Sequence, residues 1–281
     1  MDCCLLSWKG YFKPYNPDGW GFKNYITIFS EGSPFLQCLL NTMIIVFVSV
    51  PISIALSLLI AVALNSIKPL QKLLQTIFFL PYVTNTIAIG MVFSVMFESQ
   101  QGLMNTILNM LGHGSINWLG GNVEAGLLFN NQFITSLVVL ICYIVWNSLP
   151  FKVIILLSAL QSVDRQYYQA AQIDGTSKFR TFSKITVPLL SPQIFYLLIT
   201  SFIGAFKEYT SVVAIFGENA SSVGSHNNMA TVVWFIYDKI KGSGATGKTI
   251  GYASAGAVIL FLIILFFTGI NKLIEKKKVH F

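Results

Sequence analysis

The feature that most constrains this chain is a series of long stretches without any charged residue. Six of them are longer than the roughly 20 helical residues that cross a bilayer core of about 30 Å. They are 32–67, 73–97, 99–123, 125–151, 185–206 and 249–271. Five have the apolar density of a membrane span. The third, 99–123, is rich in Gly, Asn, Gln and Ser, so we predict a short amphipathic helix near 102–111 followed by a loop.

These stretches predict an all-α membrane protein, a polytopic bundle of about five transmembrane helices. The predicted spans are 35–64, 70–97, 131–158, 191–216 and 249–271. The composition agrees, because 54% of the 281 residues are hydrophobic and only 10% are charged. Soluble proteins carry about 25% charged residues. A soluble globular fold is therefore excluded.

The basic residues predict how the spans are oriented. Most of the 18 Lys and Arg residues fall in the 65–72 turn, the 161–190 connection and the C-terminal tail. Lys152, which precedes the 161–190 connection, is counted with it. Because Lys and Arg near span ends accumulate on the cytoplasmic side, we expect these segments to be cytoplasmic and 217–248 to be external. The net charge is +7, but the bases are scattered between apolar runs. Membrane lipid, and no nucleic acid, is therefore the expected partner.

No metal or disulfide site is predicted. The four cysteines, Cys3, Cys4, Cys38 and Cys142, have no C-x-x-C spacing, and the three histidines are scattered. Zinc sites and disulfide frameworks show more regular spacing. We expect neither metal nor cofactor in this chain.

One motif points to a different function. Residues 242–249, GSGATGKT, satisfy the nucleotide-binding pattern G-x-x-x-x-G-K-[ST], with Lys248 and Thr249 in the last two positions. Such a loop follows a buried strand and opens a helix whose backbone amides cradle phosphates. Here an amphipathic helical pattern precedes the motif and a membrane span follows it. We therefore interpret its glycines as an external hinge into the last helix.

The 161–190 connection is the most informative polar segment. Asp164 or Ser162 can cap a helix over 165–173. Gly175 stands where that helix would end in the left-handed conformation, which glycine adopts at low cost.

A second helix is predicted over 177–186, ending before Pro188. The first helix presents two small residues, Ala170 and Ala171, which would let it seat closely against a partner. The two helices are therefore interpreted as a docking element, with an ordinary amphipathic connector as the alternative.

The stretch YYQAAQIDGTSKFRTFSKITVPLL resembles the EAA loop of bacterial ABC-importer permeases. The matching residues are Ala170, Ala171, Asp174, Gly175, Phe182, Ile185, Thr186 and Pro188. Three further stretches also match: NTMIIV at 41–46, FFLPYV at 78–83 and GYASA at 251–255. The resemblance covers about residues 25–271 and is closest to the binding-protein-dependent, carbohydrate-uptake (maltose-type) permeases.

The resemblance implies the type I ABC importer permease fold, with the first helix of the family's core of six missing or truncated. Residues 1–34 would be an external segment, the remnant of that helix, since LLSWKGYF resembles its end. Residues 35–271 would form the permease domain and 272–281 a basic cytoplasmic tail. The protein would be a multi-pass protein of the bacterial plasma membrane.

The resemblance also implies partners. A permease of this kind pairs with a second homologous permease, docks a cytoplasmic ABC ATPase dimer, and receives sugar from an extracytoplasmic solute-binding protein. ATP and magnesium would bind the ATPase, so this chain is expected not to be an enzyme. The residues implied in coupling to the ATPase are Gln169, Ala170, Ala171, Asp174, Gly175, Ile185 and Pro188.

The loop departs from the family pattern at several positions. Gln169 stands where Glu is usual, which removes a negative charge from the docking helix. Thr176 replaces Ala, and Asp164 replaces Pro. FGENA, after the fourth predicted span, stands where Gly-Gly-Pro is typical.

Candidate cargo contacts come from two sources. Lys207 and Glu208 are ionisable residues inside a predicted span, where charge is costly and usually functional, although an exposed external end of the span is the alternative. The resemblance places sugar contacts at Ile144, Asn147, Ser148, Phe151, Ser201, Ala205 and Glu208. Asn85 and Trp146 are further candidates that could equally pack helices together.

The expected function is therefore the permease subunit of an ATP-driven importer for a sugar or oligosaccharide. One alternative is the same family with another cargo, such as glycerol phosphate, a polyamine or another small solute. A phosphate would call for Arg or several Lys in the pathway. A second alternative, a stand-alone secondary transporter, would call for an internal repeat and intramembrane acids.

Overall fold

The computed structural model describes residues 22–30, 33–67, 71–99, 101–119, 131–217, 229–241 and 247–278. Across these ranges the regular structure is helical and contains no strand, which confirms the all-α prediction. The helices in chain order are α1 (Lys23–Ile28), α2 (Phe35–Ser66), α3 (Gln71–Val83), α4 (Thr86–Met96), α5 (Leu103–Met110), α6 (Asn131–Ser162), α7 (Arg165–Ile173), α8 (Lys178–Leu189), α9 (Ser191–Phe206), α10 (Thr210–Phe216), α11 (Val232–Lys241) and α12 (Gly247–Lys278).

Within the part of the chain that the structure describes, three helices are long and apolar enough to cross a membrane: Phe35–Ser66, Phe133–Ser162 and Ile250–Glu275. They correspond to the predicted spans 35–64, 131–158 and 249–271. A helix of 32 residues, the length of α2, measures about 48 Å. It therefore exceeds the bilayer core, which a tilted helix accommodates.

The predicted span 70–97 consists of two helices, α3 and α4, because the helix is interrupted at Thr84 and Asn85. Asn85 has an extended backbone, and its side chain accepts hydrogen bonds from the backbone N–H groups of Ile87 at 2.9 Å and Ala88 at 3.4 Å. Asn in this position starts a new helix by satisfying its free N–H groups. Asn85, a cargo candidate from the sequence, therefore has a structural role as the cap of α4.

The predicted span 191–216 is also divided, into α9 and α10. The carboxylate of Glu208, in the link between them, accepts a hydrogen bond from the backbone N–H of Ser211 at 2.9 Å. Upstream, the axes of α8 and α9 differ by 68° at the break between them, and the two helices can together count as one further span. Hydropathy detects these runs but not the caps that interrupt them.

The amphipathic helix predicted near 102–111 is present as α5, and the segment after it is organised around Asn105. This side chain is 1% exposed. Its amide group donates to the carbonyls of Ser99 and Ile116, each at 2.8 Å, while its oxygen accepts from the indole N–H of Trp118 at 2.9 Å. One buried amide therefore orders a segment that was predicted as loop.

The second helix of the 161–190 connection was predicted to end before Pro188, and this prediction is wrong. α8 continues to Leu189 because Phe182–Thr186 adopts a π-helical turn, in which the N–H of Val187 reaches back to the carbonyl of Phe182. A π-turn shifts the carbonyls relative to the following residues. A proline one residue later then avoids the steric clash of a regular α-helix.

The chain divides into two compact units. Unit 1 comprises Met1–Phe47, Asn85–Tyr143 and Gly204–Phe266. In it, the ring of Phe35 meets Phe235 edge-on at 5.3 Å, and Thr42 accepts the backbone N–H of Val232 at 3.0 Å. Unit 2 comprises Val48–Thr84, Ile144–Ile203 and Phe267–Phe281. Its core is formed by Ala61, Leu64, Val153, Leu156, Leu157 and Leu197.

Candidate coupling loop and transport pathway

The first helix of the 161–190 connection is fixed at both ends by local hydrogen bonds. Asp164 accepts the backbone N–H of Gln166 at 2.9 Å, which caps the start of α7. At the other end, Gly175 has φ +65°, and the N–H of Thr176 reaches the carbonyl of Ala171 at 2.9 Å. This six-to-one bond beside a left-handed glycine is the Schellman arrangement. The predicted helix 165–173 and its glycine stop are both confirmed.

The exposed surface of this connection carries large apolar side chains. Ile173 is 87% exposed, Phe179 79% and Tyr167 54%. Tyr168 and Thr186 lie 3.3 Å apart through their hydroxyl oxygens, which holds α7 against α8. Outside lipid, such apolar exposure indicates a surface that a partner covers.

The predicted coupling residues are distributed over both helices. Gln169 and Ala170 are exposed on α7, and Asp174 and Gly175 are exposed in the turn after it. Ala171, by contrast, is 5% exposed and packs inward. The remaining two residues lie on α8: Ile185, which is partly buried, and Pro188, which is exposed.

Four of the predicted cargo contacts lie close together on α6: Ile144, Asn147, Ser148 and Phe151. Within unit 2, the ring of Phe151 stacks on Tyr82 of α3, with centroids 5.8 Å apart and planes 17° from parallel. Phe151 is 39% and Tyr82 51% exposed. Asn147 and Ser148 are partly buried, whereas Ile144 is 8% exposed. The turn therefore presents an open aromatic pair beside polar side chains.

The other predicted cargo contacts lie on α9 and in the link that follows it. Ser201, of unit 2, is partly buried, and Ala205, of unit 1, is 8% exposed. Glu208, of unit 1, caps α10 with its carboxylate and accepts the hydroxyl of Thr231 on its backbone carbonyl at 2.7 Å. Its neighbour Lys207 is exposed.

Lys152 is a residue that the sequence assigned to the wrong place. It was counted with the cytoplasmic bases, but it lies well inside α6 and is 5% exposed. Its ammonium donates to the hydroxyl of Ser53 on α2 and to that of Ser148, at 3.2 Å, one turn earlier. The apolar run from Val153 to Leu160 indicates that the helix continues past Lys152, but it does not indicate that the lysine is buried.

The nucleotide-binding pattern does not have the structural surroundings of a phosphate loop. The element before it is a helix, α11, and Gly247, Lys248 and Thr249 form the first turn of α12. Gly242 and Gly244, part of the predicted hinge, lie outside the described residues. A strand leading into the motif, which phosphate binding requires, is absent from the described residues.

Two of the four cysteines lie in the described residues. Cys38 is buried and Cys142 exposed, and both are free thiols. Cys3 and Cys4 lie outside the described residues, as does most of the predicted external segment 1–34, where α1 is the described helix.

Comparison with known proteins gives one family. Residues 53–280 match the family described as "binding-protein-dependent transport system inner membrane component". Among curated relatives, the chain is 28% identical over 247 residues to the arabinooligosaccharides transport system permease AraP of Bacillus subtilis, covering 87% of this chain and 72% of AraP. It is 29% identical over 248 residues to the trehalose/maltose transport system permease MalF of Thermococcus litoralis, covering 88% of this chain and 77% of MalF.

A solved structure is similar in fold. The crystal structure of a bacterial alginate ABC transporter, in complex with an alginate pentasaccharide-bound periplasmic protein, matches with TM-score 0.77 and 20% identity. The match covers 92% of this chain and 84% of that one. The family match spans most of the chain and the relatives agree with it. The chain therefore belongs to the binding-protein-dependent transport system inner membrane components and is a multi-pass permease of an ABC importer.

Proposed function

We propose that this permease forms, with a second homologous permease, the translocation pathway for a sugar or oligosaccharide. An extracytoplasmic solute-binding protein delivers the cargo, and a cytoplasmic ABC ATPase dimer binds ATP and magnesium. The chain itself then catalyses no reaction. The observation that carries the proposal is the coupling surface of α7 and α8, defined by Tyr167, Ile173 and Phe179.

The coupling surface supports docking of an ATPase. Ile173, the last residue of α7, has 87% of its surface exposed, and the left-handed Gly175 ends the helix two residues later. α7 is capped at both ends and contacts α8 through Tyr168 and Thr186. Movement of a docked partner would therefore displace α7 and α8 together, and α9 with them. That is the mechanical requirement for alternating access driven from outside the membrane domain.

A sugar cargo is supported by the relatives and by one feature of the pathway. The names of AraP and MalF, as well as that of the lactose permease LacF of Rhizobium radiobacter, refer to sugars. The stacked rings of Phe151 and Tyr82 are 39% and 51% exposed. Aromatic rings beside hydrogen-bonding groups such as Asn147 suit a sugar ring, which has apolar faces and polar edges.

The orientation that we propose follows the basic residues. The C-terminus and the 161–190 connection are cytoplasmic, in the plasma membrane of a bacterium. Exposed Arg165, Lys178, Arg180 and Lys184 belong to this connection, as the positive-inside rule requires.

Affinity purification of the tagged chain from its native membrane tests the proposal. We expect an ABC ATPase and a second permease to co-purify in stoichiometric amounts. Purification of the chain alone, together with uptake by the chain alone, would support a secondary transporter instead. Uptake of glycerol phosphate but of no sugar by the complex would support the other cargo, and Lys207 would then be its first candidate contact.

A further inference from the structure

Among the side chains that the structure describes, Lys152 is the only buried Lys or Arg. Its ammonium joins two helices of unit 2, because it donates to Ser53 on α2 and to Ser148 on α6. Within the described residues it forms no ion pair. It is therefore a buried cation whose described partners are two hydroxyl groups.

Both hydroxyls are arranged to receive the ammonium. Ser53 donates its own proton to the carbonyl of Val50, and Ser148 donates to the carbonyl of Val145, each at 2.9 Å. With its proton engaged, each oxygen has lone pairs left to accept a hydrogen bond. Two of the three ammonium N–H groups therefore point to acceptors that are already oriented by their own helices.

A cation in this position has a cost that packing alone does not explain. Charged groups at membrane depth are unfavourable and are commonly found where they serve a function. A methionine would fill similar space without removing an ammonium from water. The lysine therefore contributes a directed contact between α2 and α6 that an apolar residue would lack.

The contact joins two points where the helices can bend. Pro51 lies two residues before Ser53, and Pro150 lies two residues before Lys152. Each proline lacks the N–H for the regular helical bond and crowds the carbonyl four residues earlier, so helices bend at such sites. Phe151, next to Lys152, is the residue that stacks on Tyr82.

We propose that Lys152 is a positioning residue that holds the turn 147–151 of α6 against α2, and so fixes where Ser148 and Phe151 present themselves to cargo. Its consequence for transport depends on the proposed function, because the turn matters only if it lines the pathway. The contact itself depends on the geometry of unit 2.

The test measures this position directly in the importer complex, purified through a tag on this chain. In a background with the native cysteines replaced by serine, nitroxide labels at Leu56→Cys and Asn147→Cys report the distance between α2 and the turn by pulsed electron paramagnetic resonance. We expect K152M and S53A each to shift or broaden the distance distribution. S53T, which keeps the acceptor, restores it. S57A is the matched control, since Ser57 is buried on the same helix and donates to Ile54.

The same substitutions, in complexes that keep Asn147, Leu56 and the native cysteines, are assayed for ATP hydrolysis. We expect K152M and S53A to lower it roughly fivefold, the lower range of coupling effects between sites, with S53T and S57A near wild type. Distance distributions for K152M and S53A that superimpose on wild type would overturn the proposal. If K152M does not yield folded protein, the distance distributions of S53A and S53T decide whether the contact positions the turn. A wild-type complex without ATPase activity contradicts the proposed function, while the distances still test the contact.

Discussion

The N–H of Thr176 bonds to the carbonyl of Ala171 at 2.9 Å across Gly175, whose φ is +65°. This one relationship sets where α7 ends and therefore where Ile173 projects. A residue with a Cβ meets no steric obstruction at position 175, since no atom lies within 4 Å of an added Cβ. The cost there is in the backbone, about 1–2 kcal/mol for an L-residue in the left-handed region.

Replacement of Gly175 by leucine should uncouple the permease from its ATPase. The left-handed turn becomes strained, so α7 unwinds or extends, and the bulky side chain stands in the docking surface. We expect ATP-driven uptake to fall at least about tenfold, the effect of roughly 1.4 kcal/mol on the productive state. Gly175→Asn is the control, because Asn tolerates this conformation. Equal loss in both variants would show that the turn geometry is not the cause.

Replacement of Ile173 by aspartate should weaken ATPase docking without unfolding the permease. The side chain is 87% exposed, so its loss removes little internal packing, whereas an apolar partner surface would reject a carboxylate. Co-purification of the ATPase and the melting temperature are measured together. Gln161→Asp adds the same charge at an exposed position on α6 and should retain the ATPase. If Ile173→Asp retains it as well, α7 does not dock the ATPase through this residue.

Replacement by alanine should change the stability of the protein differently at two helical glycines. A Cβ at Gly90 of α4 would clash with the Cβ of Ala214 of α10, whereas one at Gly204 of α9 would meet nothing within 4 Å. We expect Gly90→Ala to destabilise by about 1–3 kcal/mol through overpacking. Gly204→Ala should be neutral or stabilise by up to about 1 kcal/mol through helix propensity. Thermal unfolding in detergent measures both, and a stabilised Gly90 variant would contradict this close contact.

Replacement of Lys248 by alanine should leave transport intact. The lysine of a phosphate-binding loop contacts the nucleotide directly, but here the residue belongs to the first turn of α12 and follows a helical element. ATP-dependent uptake should therefore stay within about twofold of wild type, the scatter expected of a substitution worth less than about 0.5 kcal/mol. Loss of nucleotide binding in the purified chain on this substitution would restore the phosphate-loop interpretation.

The parts of the structure that sequence could predict are those determined by local chemistry. α7 was predicted to the residue because a capping Asp and a terminating Gly flank it. The long spans were predicted because bilayer thickness alone requires their length. The break at Asn85 was not predicted, because a polar residue in an apolar run predicts a helix contact as readily as a cap.

Lys152 could not be predicted for a different reason. Its partner Ser53 lies 99 residues away in the sequence, so neither residue carries a local sign of the contact. Charge counting assigned the lysine to the membrane surface, since a lysine near the end of a predicted span usually lies there. Only the packing of α6 against α2 shows that it is buried.

The most direct test of the proposed function is uptake of radiolabelled maltose, trehalose, lactose and arabinotriose into proteoliposomes. The vesicles contain either this chain alone or the co-purified complex with its binding protein, with and without internal ATP. We expect uptake of at least one sugar by the complex, dependent on ATP and lowered at least about tenfold by Gly175→Leu. Sugar uptake by the chain alone, driven by an ion gradient and indifferent to ATP, would contradict it.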